Sequence, residues 1–309
     1  MSRLMVATAA ALAWAAPVAG QEPNVETQDI ERFFSVYDAH GGAPDAATLQ
    51  REYFDPGTRG LAEFAKLRRV SAESIARRLR SDPALYVNAR ECAAAIPPVR
   101  VRLQKALAEL RRSYADARMA PLHLVIGHGK PVGVGNPSGA YIGVEALCAW
   151  TVPNPNVEDR FVHVIAHEYA HVQQPRAEEV NDDASVLLAA LMEGGAEFVA
   201  ELTSGSVAYQ HFADVTKGRE KEIEAQFLRD IDATAMGSKW VYNGFGTKET
   251  PGDLGYWVGY RICKSYYLNA RDKRQALRDI IELSDVRAIL DKSGWEPGME
   301  LPAKLPPVE

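Results

Sequence analysis

The chain has 309 residues, which is enough for one large domain or two small ones. Its 41 acidic and 35 basic side chains give a formal net charge of −6 at pH 7. This mild acidity argues against nucleic acid or an anionic membrane surface as a partner.

Residues 1–20 form a candidate signal peptide. Arg3 is followed by an almost continuous apolar run over residues 4–18, and small residues precede Gln21. This pattern is typical of secretory signals and predicts an exported protein, periplasmic or secreted. An uncleaved anchor or a buried helix is the alternative. No other segment reaches the roughly 18 apolar residues of a membrane span, so none is expected after signal removal.

Residues 21–118 are predicted to form a helical N-terminal region. Asp45 is expected to cap its second helix. Two arginine clusters, at positions 68–69 and 77–80, are most simply explained as solvated helix faces, with a basic substrate-binding groove as the alternative. Apolar residues recur at helical spacing in segments 28–38, 45–53, 61–69, 71–80 and 99–117.

The pattern changes after residue 118. The apolar runs 122–126 and 140–147 have β-type composition, and Gly and Pro residues lie between them. We expect two strands there, either a sheet that lines a cleft or an ordinary hairpin. The cysteines Cys92, Cys148 and Cys263 predict one disulfide and one free thiol in an exported protein, and the sequence does not choose the pair.

The sequence His167-Glu168-Tyr-Ala-His171 has the form H-E-x-x-H. On a helix, two histidines four residues apart leave the same face and can bind one zinc ion. Glu168 is offset from them, so its carboxylate can act as the general base on a water at the metal. His163 lies too far along the axis to join both ligands. The alternative is a helix whose histidines are merely packed.

Helix boundaries around this motif can be predicted from capping residues. Asn156 or Asp159 is expected to start the motif helix, and Pro175 to end it. The segment 181–183 is expected to cap a second helix over residues 184–203. Asp253 is expected to cap a further helix over 254–268.

A catalytic zinc site needs three protein ligands and one open position. Glu193 lies on the second helix, inside an otherwise apolar run, and is the predicted third ligand. Glu197 and Glu201 follow at one-turn intervals on the same face. Glu197 is the main rival as a ligand and otherwise orients a histidine from behind. Gly194 and Gly195 would permit a close approach between the first two helices.

The motif His167-Glu-Tyr-Ala-His171 followed by Glu193-Gly-Gly-Ala-Glu197 resembles the gluzincin type of zinc peptidase. It is similar to a bacterial family of predicted zinc-dependent proteases, described otherwise as a domain of unknown function, over residues 122–267. The resemblance implies a zincin fold whose edge strand can pair with an extended substrate. It also implies a phenol donor for the oxyanion downstream, for which Tyr256 and Tyr260 are candidates. Tyr260 is slightly preferred, and packed aromatic rings are the alternative.

The sequence thus predicts a mostly helical α+β fold in which residues 119–309 form a zincin-like metallopeptidase domain. The predicted function is that of an exported zinc peptidase with His167, His171 and Glu193 as ligands of Zn²⁺ and Glu168 as base. Its partner would be a peptide or protein substrate, with endo- or exopeptidase specificity left open. The alternatives are a non-catalytic zinc-binding scaffold and a zinc amidase that acts on cell-wall linkages.

Overall fold

The structure is a computed structural model that describes residues 24–130, 132–176, 181–244, 246–247, 251–303 and 305. The predicted signal peptide lies outside these residues. The fold is 60% helical with one small mixed sheet, which confirms the predicted α+β class. Among the described residues, no helix has the length and apolarity that crossing a bilayer requires.

In the described residues, six helices precede the main part of the sheet. They agree with the predicted segments, except that the helix over Pro83–Ala93 was not predicted. Asp45 caps the second helix as expected, because its side chain accepts a hydrogen bond from the Thr48 amide at 2.8 Å. The helices are α1 (Gln28–Ala39), α2 (Ala46–Leu49, continued by a π-helical turn over Gln50–Phe54), α3 (Arg59–Arg68), α4 (Ala72–Ser81), α5 (Pro83–Ala93) and α6 (Ile96–Ser113).

The sheet has four strands in the order β1-β2-β4-β3. The strand β2 pairs in parallel with both β1 and β4, whereas β3 pairs antiparallel with β4 and forms the edge. The two predicted runs are therefore parallel neighbours and do not form a hairpin with each other. The strands are β1 (Val25–Glu26), β2 (Leu122–Val125), β3 (Gly133–Asn136) and β4 (Gly139–Gly143).

The predicted strand over 140–147 is correct only in its first half. The strand ends at Gly143 and the helix α7 (Val144–Ala149) begins there. A short apolar run fits a buried helix as well as a buried strand, so the pattern does not distinguish them. Glu145 fixes the helix: its carboxylate accepts hydrogen bonds from the amides of Gly127 at 2.8 Å and Gly129 at 2.9 Å.

The remaining helices carry the predicted site. The motif helix begins at the cap Asn156, which accepts a hydrogen bond from the Asp159 amide at 3.0 Å, and it ends before Pro175 as expected. These helices are α8 (Val157–Gln173), α9 (Val186–Ser204), α10 (His211–Thr216), α11 (Glu220–Asp230), α12 (Leu254–Asn269), α13 (Lys273–Glu282) and α14 (Val286–Lys292).

Two predicted helix caps are wrong. The helix α9 is capped by Ser185, whose hydroxyl accepts a hydrogen bond from the Leu188 amide, whereas Asn181 closes a local turn by accepting one from Asp183. Asp253 precedes α12 in a left-handed conformation with φ 52°, and its side chain makes no cap. Its carboxylate instead accepts a hydrogen bond from the Asn243 amide at 2.8 Å. Short polar side chains can bond nearby backbone groups other than those of a helix start, so their presence in the sequence does not establish a cap.

The helices α9 and α12 cross at two glycines. A Cβ atom on Gly194 would lie 2.1 Å from the Tyr260 nitrogen, and one on Gly259 would lie 1.9 Å from the Ala190 carbonyl oxygen. The predicted close approach is therefore made to α12 rather than to α8. Gly195 faces Ile280 of α13, with the Gln174 side chain next to it.

The N-terminal helices and the motif helices share one hydrophobic core. Phe33 and Tyr86 are buried in the same continuous cluster as Phe161 and Phe198. The strand β1 joins the sheet from the N-terminal side, and a disulfide between Cys92 and Cys148 links α5 to α7. Cys263 is free and buried. The predicted boundary near residue 118 does not separate two cores, although the division into regions stays a prediction.

Candidate metal centre and active-site cleft

The motif helix α8 brings His167 and His171 together as the spacing predicts. Both imidazoles leave one face of the helix, and their Nε2 atoms are 3.2 Å apart. His163 lies further back on α8, where its Nδ1 atom is 2.8 Å from the Ser204 hydroxyl. Burial lowers the pKa of His163 to about 4, so it is a packed, neutral histidine, as expected.

Glu193 completes the cluster from α9. Its Oε2 atom lies 3.4 Å from His167 Nε2 and 3.3 Å from His171 Nε2. A tetrahedral zinc ion with bonds of about 2.0 Å holds its ligand atoms about 3.3 Å apart, so these three atoms have the required spacing. All three residues are buried. We call His167, His171 and Glu193 the histidine cluster.

A further set of contacts orients the imidazole rings of His167 and His171 through their Nδ1 atoms, on the side away from the centre of the cluster. Glu197 places Oε1 2.8 Å from His167 Nδ1, and its other oxygen accepts a hydrogen bond from the Ala208 amide at 2.8 Å. His171 Nδ1 lies 2.6 Å from Gln174 Oε1. Acceptors beside both Nδ1 atoms favour ring protons there, so that the Nε2 atoms of the neutral rings can face a metal ion at the centre of the cluster. Glu197 therefore stands behind His167, where it can orient the ring.

The electrostatics of the cluster favour positive charge. Burial lowers the pKa of His167, but the carboxylates of Glu197 and Glu193 outweigh it and raise the pKa to about 10. The pKa of His171 is also raised, because Glu193 outweighs burial. The pKa of Glu193 is lowered, because both histidines outweigh the burial of its carboxylate. Two nitrogens and one carboxylate that together attract positive charge are a suitable donor set for Zn²⁺.

A cleft of about 790 Å³ opens onto the histidine cluster. Glu168 lines it beside the edge strand β3, and a Cβ on Gly133 would lie 2.9 Å from the Glu168 carboxylate carbon. Gly135 is closer still, because its Cβ would lie 2.0 Å from the Glu168 carbonyl oxygen. These glycines let β3 lie against α8, so backbone groups of an edge strand border the cleft. The sequence did not predict β3, since glycine disfavours strands.

The two candidate tyrosines have different surroundings. Tyr256 lines the cleft, and its ring lies parallel to that of His167 with 6.3 Å between centroids. Tyr260 is not among the residues that line the cleft. Its hydroxyl instead donates a hydrogen bond to Glu201 at 2.9 Å and accepts one from Lys264 at 3.0 Å. This geometry favours Tyr256, whereas the sequence slightly preferred Tyr260, and the catalytic role of either stays a prediction. We call Glu201, Tyr260 and Lys264 the lysine cluster.

Three other cleft residues were missed by sequence reasoning, and a fourth entered it only through the alternative of a basic groove. Tyr209 and Tyr242 line the cleft near the histidine cluster, as do Asp253 and Arg68. Burial and a hydrogen bond with Glu193 raise the pKa of the Tyr242 phenol. Burial and the nearby charge of Glu193 raise the pKa of Asp253 to about 6. No spacing rule links these residues to the motif; only the arginine pair at 68–69 gave a signal, as a possible basic groove.

The H-E-x-x-H helix, a glutamate on the next helix and an antiparallel edge strand beside them meet at this candidate metal centre. The comparison with protein families agrees: residues 135–284 match the model of a family described as "Predicted Zn-dependent protease (DUF2268)". This match confirms the resemblance that the sequence shows to that family. No curated protein and no solved structure matches the chain.

Proposed function

We propose that this protein is a zinc-dependent peptidase in which Glu168 is the general base. The observation that carries the proposal is the buried convergence of three ligand atoms, 3.2–3.4 Å apart, at a cleft that also holds Glu168. The family description supports the same activity at a coarse level. His167, His171 and Glu193 would hold the ion. When bound, zinc would supply Lewis-acid activation of a water molecule and of the substrate carbonyl.

The other steps belong to side chains of the cleft. Glu168 takes a proton from the attacking water and passes it to the leaving amine. The Tyr256 phenol donates a hydrogen bond to the developing oxyanion, because it is the candidate tyrosine that borders the cleft. The backbone of β3 can pair with an extended peptide and hold it across the cleft. A peptide or protein is therefore the substrate that we propose.

The substitution Glu168→Gln tests this mechanism. We expect the parent and the variant each to bind about one zinc per chain, since Glu168 is outside the histidine cluster. Hydrolysis of an unfolded protein should fall by about 10²–10⁴-fold, the usual contribution of a general base. The matched control is Glu158→Gln in the first turn of the same helix, which should keep full activity. Undiminished hydrolysis in Glu168→Gln would overturn the mechanism, and cleavage of cell-wall fragments alone would favour the amidase alternative.

We also propose that the protein is exported. The Cys92–Cys148 disulfide supports this, because disulfides persist mainly in oxidising compartments outside the cytosol. The mass of the protein recovered from the periplasm or medium should show a chain that begins near Gln21. A full-length chain confined to the cytosol would contradict the proposal.

A further inference from the structure

Arg68 enters the cleft from the N-terminal helical region, outside residues 135–284 that match the family. It is the last residue of α3, and its side chain is half-buried. Its Nε atom is buried and has no hydrogen-bond partner within the part of the chain that the structure describes. Among the described residues, no carboxylate lies within ion-pair distance of its guanidinium. The cleft thus contains a partly desolvated cation that no described carboxylate pairs.

The charges around Arg68 explain how it stays in place and what it can bind. Burial lowers the pKa of Arg68, and Glu168 and Glu193, the carboxylates that most strongly influence it, offset only part of that effect. A dication held by the histidine cluster would balance those two negative charges. The charge of the guanidinium would then be left without compensation, since arginine stays protonated in proteins. A desolvated charge of this kind is stabilised by an anion that reaches it.

The neighbouring cations differ from Arg68 in ion pairing or exposure, although the Arg78 Nε atom, too, has no hydrogen-bond partner among the described residues. Arg78, on α4, also lines the cleft, and its guanidinium is 3.2 Å from the Asp82 carboxylate. Lys130 also lines the cleft, on the loop between β2 and β3. Both would reinforce a positive potential at this end of the cleft, where Arg68 also lies within the electrostatic influence of Glu168 and Tyr256. The planar guanidinium can bind a carboxylate through two parallel hydrogen bonds.

We propose that Arg68 binds a carboxylate group of the substrate near the bond that is cleaved, either the C-terminus of a peptide or an acidic side chain. This inference rests on the proposed peptidase function and narrows its substrate class. It gives the N-terminal helices a direct part in the site, because α3 supplies the selecting residue. It also replaces the interpretation of this arginine as part of a solvated face.

A series of peptide hydroxamates tests the inference by binding to the zinc-loaded mature protein. The hydroxamate anchors each probe at the metal, and a carboxylate follows one, two or three residues away. That carboxylate is either the C-terminus or an Asp side chain, and each probe has a partner with carboxamide or Asn instead. Affinities are measured by calorimetry for the parent, Arg68→Gln, Arg68→Lys and Lys66→Gln. Lys66 is an exposed cation on the same helix and controls for a general loss of charge.

We expect one carboxylate position to bind the parent about tenfold to hundredfold more tightly than its amide partner, as for a hydrogen bond to a charged group. Arg68→Gln should abolish this preference, Arg68→Lys should keep part of it, and Lys66→Gln should keep all of it. The position of the preferred carboxylate distinguishes a C-terminus from an acidic side chain.

Three results would overturn the inference. The parent could bind carboxylate and amide probes equally at every position, or Arg68→Gln could keep the preference. Arg68→Gln could also weaken both members of each pair equally, which would assign the arginine to the metal-bound end of the probe. In these cases a zinc content of one per chain leaves the proposed peptidase function intact. A parent that binds no zinc would overturn both proposals.

Discussion

Glu193 and Glu201 leave the same face of α9 and are both buried, but the two carboxylates find different partners. Glu201 meets Lys264 at 2.8 Å and the Tyr260 hydroxyl at 2.9 Å, so the lysine cluster contains one negative and one positive side chain. Glu193 meets two imidazoles, which carry no permanent charge, and the histidine cluster opens onto the cleft.

The difference shows how charge balance separates a structural cluster from a metal site. A buried carboxylate requires a positive partner, because its desolvation is otherwise too costly. In the lysine cluster the chain supplies that partner. In the histidine cluster the positive charge comes from protonated imidazoles or from a bound cation. Glu197, between the two, supports His167 from behind. The three glutamates on this face of α9 therefore have three different roles: one completes the histidine cluster, one supports His167 and one pairs with a lysine.

The largest expected effect is the loss of zinc from Glu193→Ala. The variant removes one of three protein ligands, so its affinity should fall by more than the roughly 10–100-fold that a supporting residue contributes. Metal analysis after dialysis should find about one zinc per chain in the parent and almost none in the variant. Retention of zinc in Glu193→Ala would move the third ligand elsewhere on α9.

The corresponding change in the lysine cluster should affect folding and leave metal binding intact. Lys264→Met leaves the Glu201 carboxylate buried without a cation, which should lower the free energy of unfolding by about 3–5 kcal/mol. Denaturant titration measures the loss, and zinc content serves as the control. The double variant Glu201→Gln with Lys264→Met should be more stable than Lys264→Met alone. A single variant as stable as the parent would contradict the charge argument.

The two tyrosines should differ in the same way, with Tyr256 affecting catalysis and Tyr260 affecting stability. Tyr256→Phe should lower kcat by about 10²–10³-fold, as expected for an oxyanion donor, without loss of zinc. Tyr260→Phe should leave kcat nearly unchanged and lower the free energy of unfolding by about 0.5–1.5 kcal/mol, because it loses a hydrogen bond. Steady-state kinetics and denaturant titration on both variants decide between them. The reverse pattern would restore Tyr260 as the donor.

Glu197→Ala should have an intermediate effect on metal binding. The residue stands behind His167, so its loss should weaken zinc binding by about 10–100-fold without abolishing it. A competition titration with a chromophoric chelator gives the affinity. Complete loss of zinc, as in Glu193→Ala, would show that Glu197 is itself a ligand.

The smallest expected effect is a release of protons when zinc binds. In the metal-free protein His167 has a pKa of about 10, so its ring is protonated at pH 7, whereas a metal ligand must be neutral. Zinc binding at pH 7 should therefore release at least one proton per ion, and the release should disappear as the pH rises through about 10. Calorimetry in buffers of different ionisation enthalpy measures it. Binding without proton release at pH 7 would mean that the metal-free ring is already neutral.

Features that depend on local spacing could be predicted from the sequence. The motif helix with its Asn156 cap and the strand β2 follow from short-range patterns, and the structure brings Glu193 to both histidines as the sequence predicted. The choice between Tyr256 and Tyr260 did not follow, because both lie on one face of α12. The placement of that helix along its axis relative to α9 determines which of the two reaches the cleft.

Residues brought together by tertiary packing could not be predicted. Arg68 lies 99 positions before His167 in the sequence, and an exposed arginine has the same local pattern as a buried one. Tyr209 and Tyr242 lie on segments without regular periodicity, so no sequence pattern indicated that their side chains face the cleft. The edge strand β3 is short and contains two glycines, which act through the space that they leave for α8.

The crossing of α9 and α12 has a consequence for protein engineering. Exchanging a helix glycine for alanine usually stabilises a helix by up to about 1 kcal/mol, and surveys for thermostable variants favour it. At Gly194 the new methyl carbon would overlap the Tyr260 nitrogen at 2.1 Å, so α12 would have to move as a whole. That movement would displace Tyr256 and Lys264 together. Stability and activity therefore cannot be adjusted separately at this crossing, which depends on two residues without a side chain.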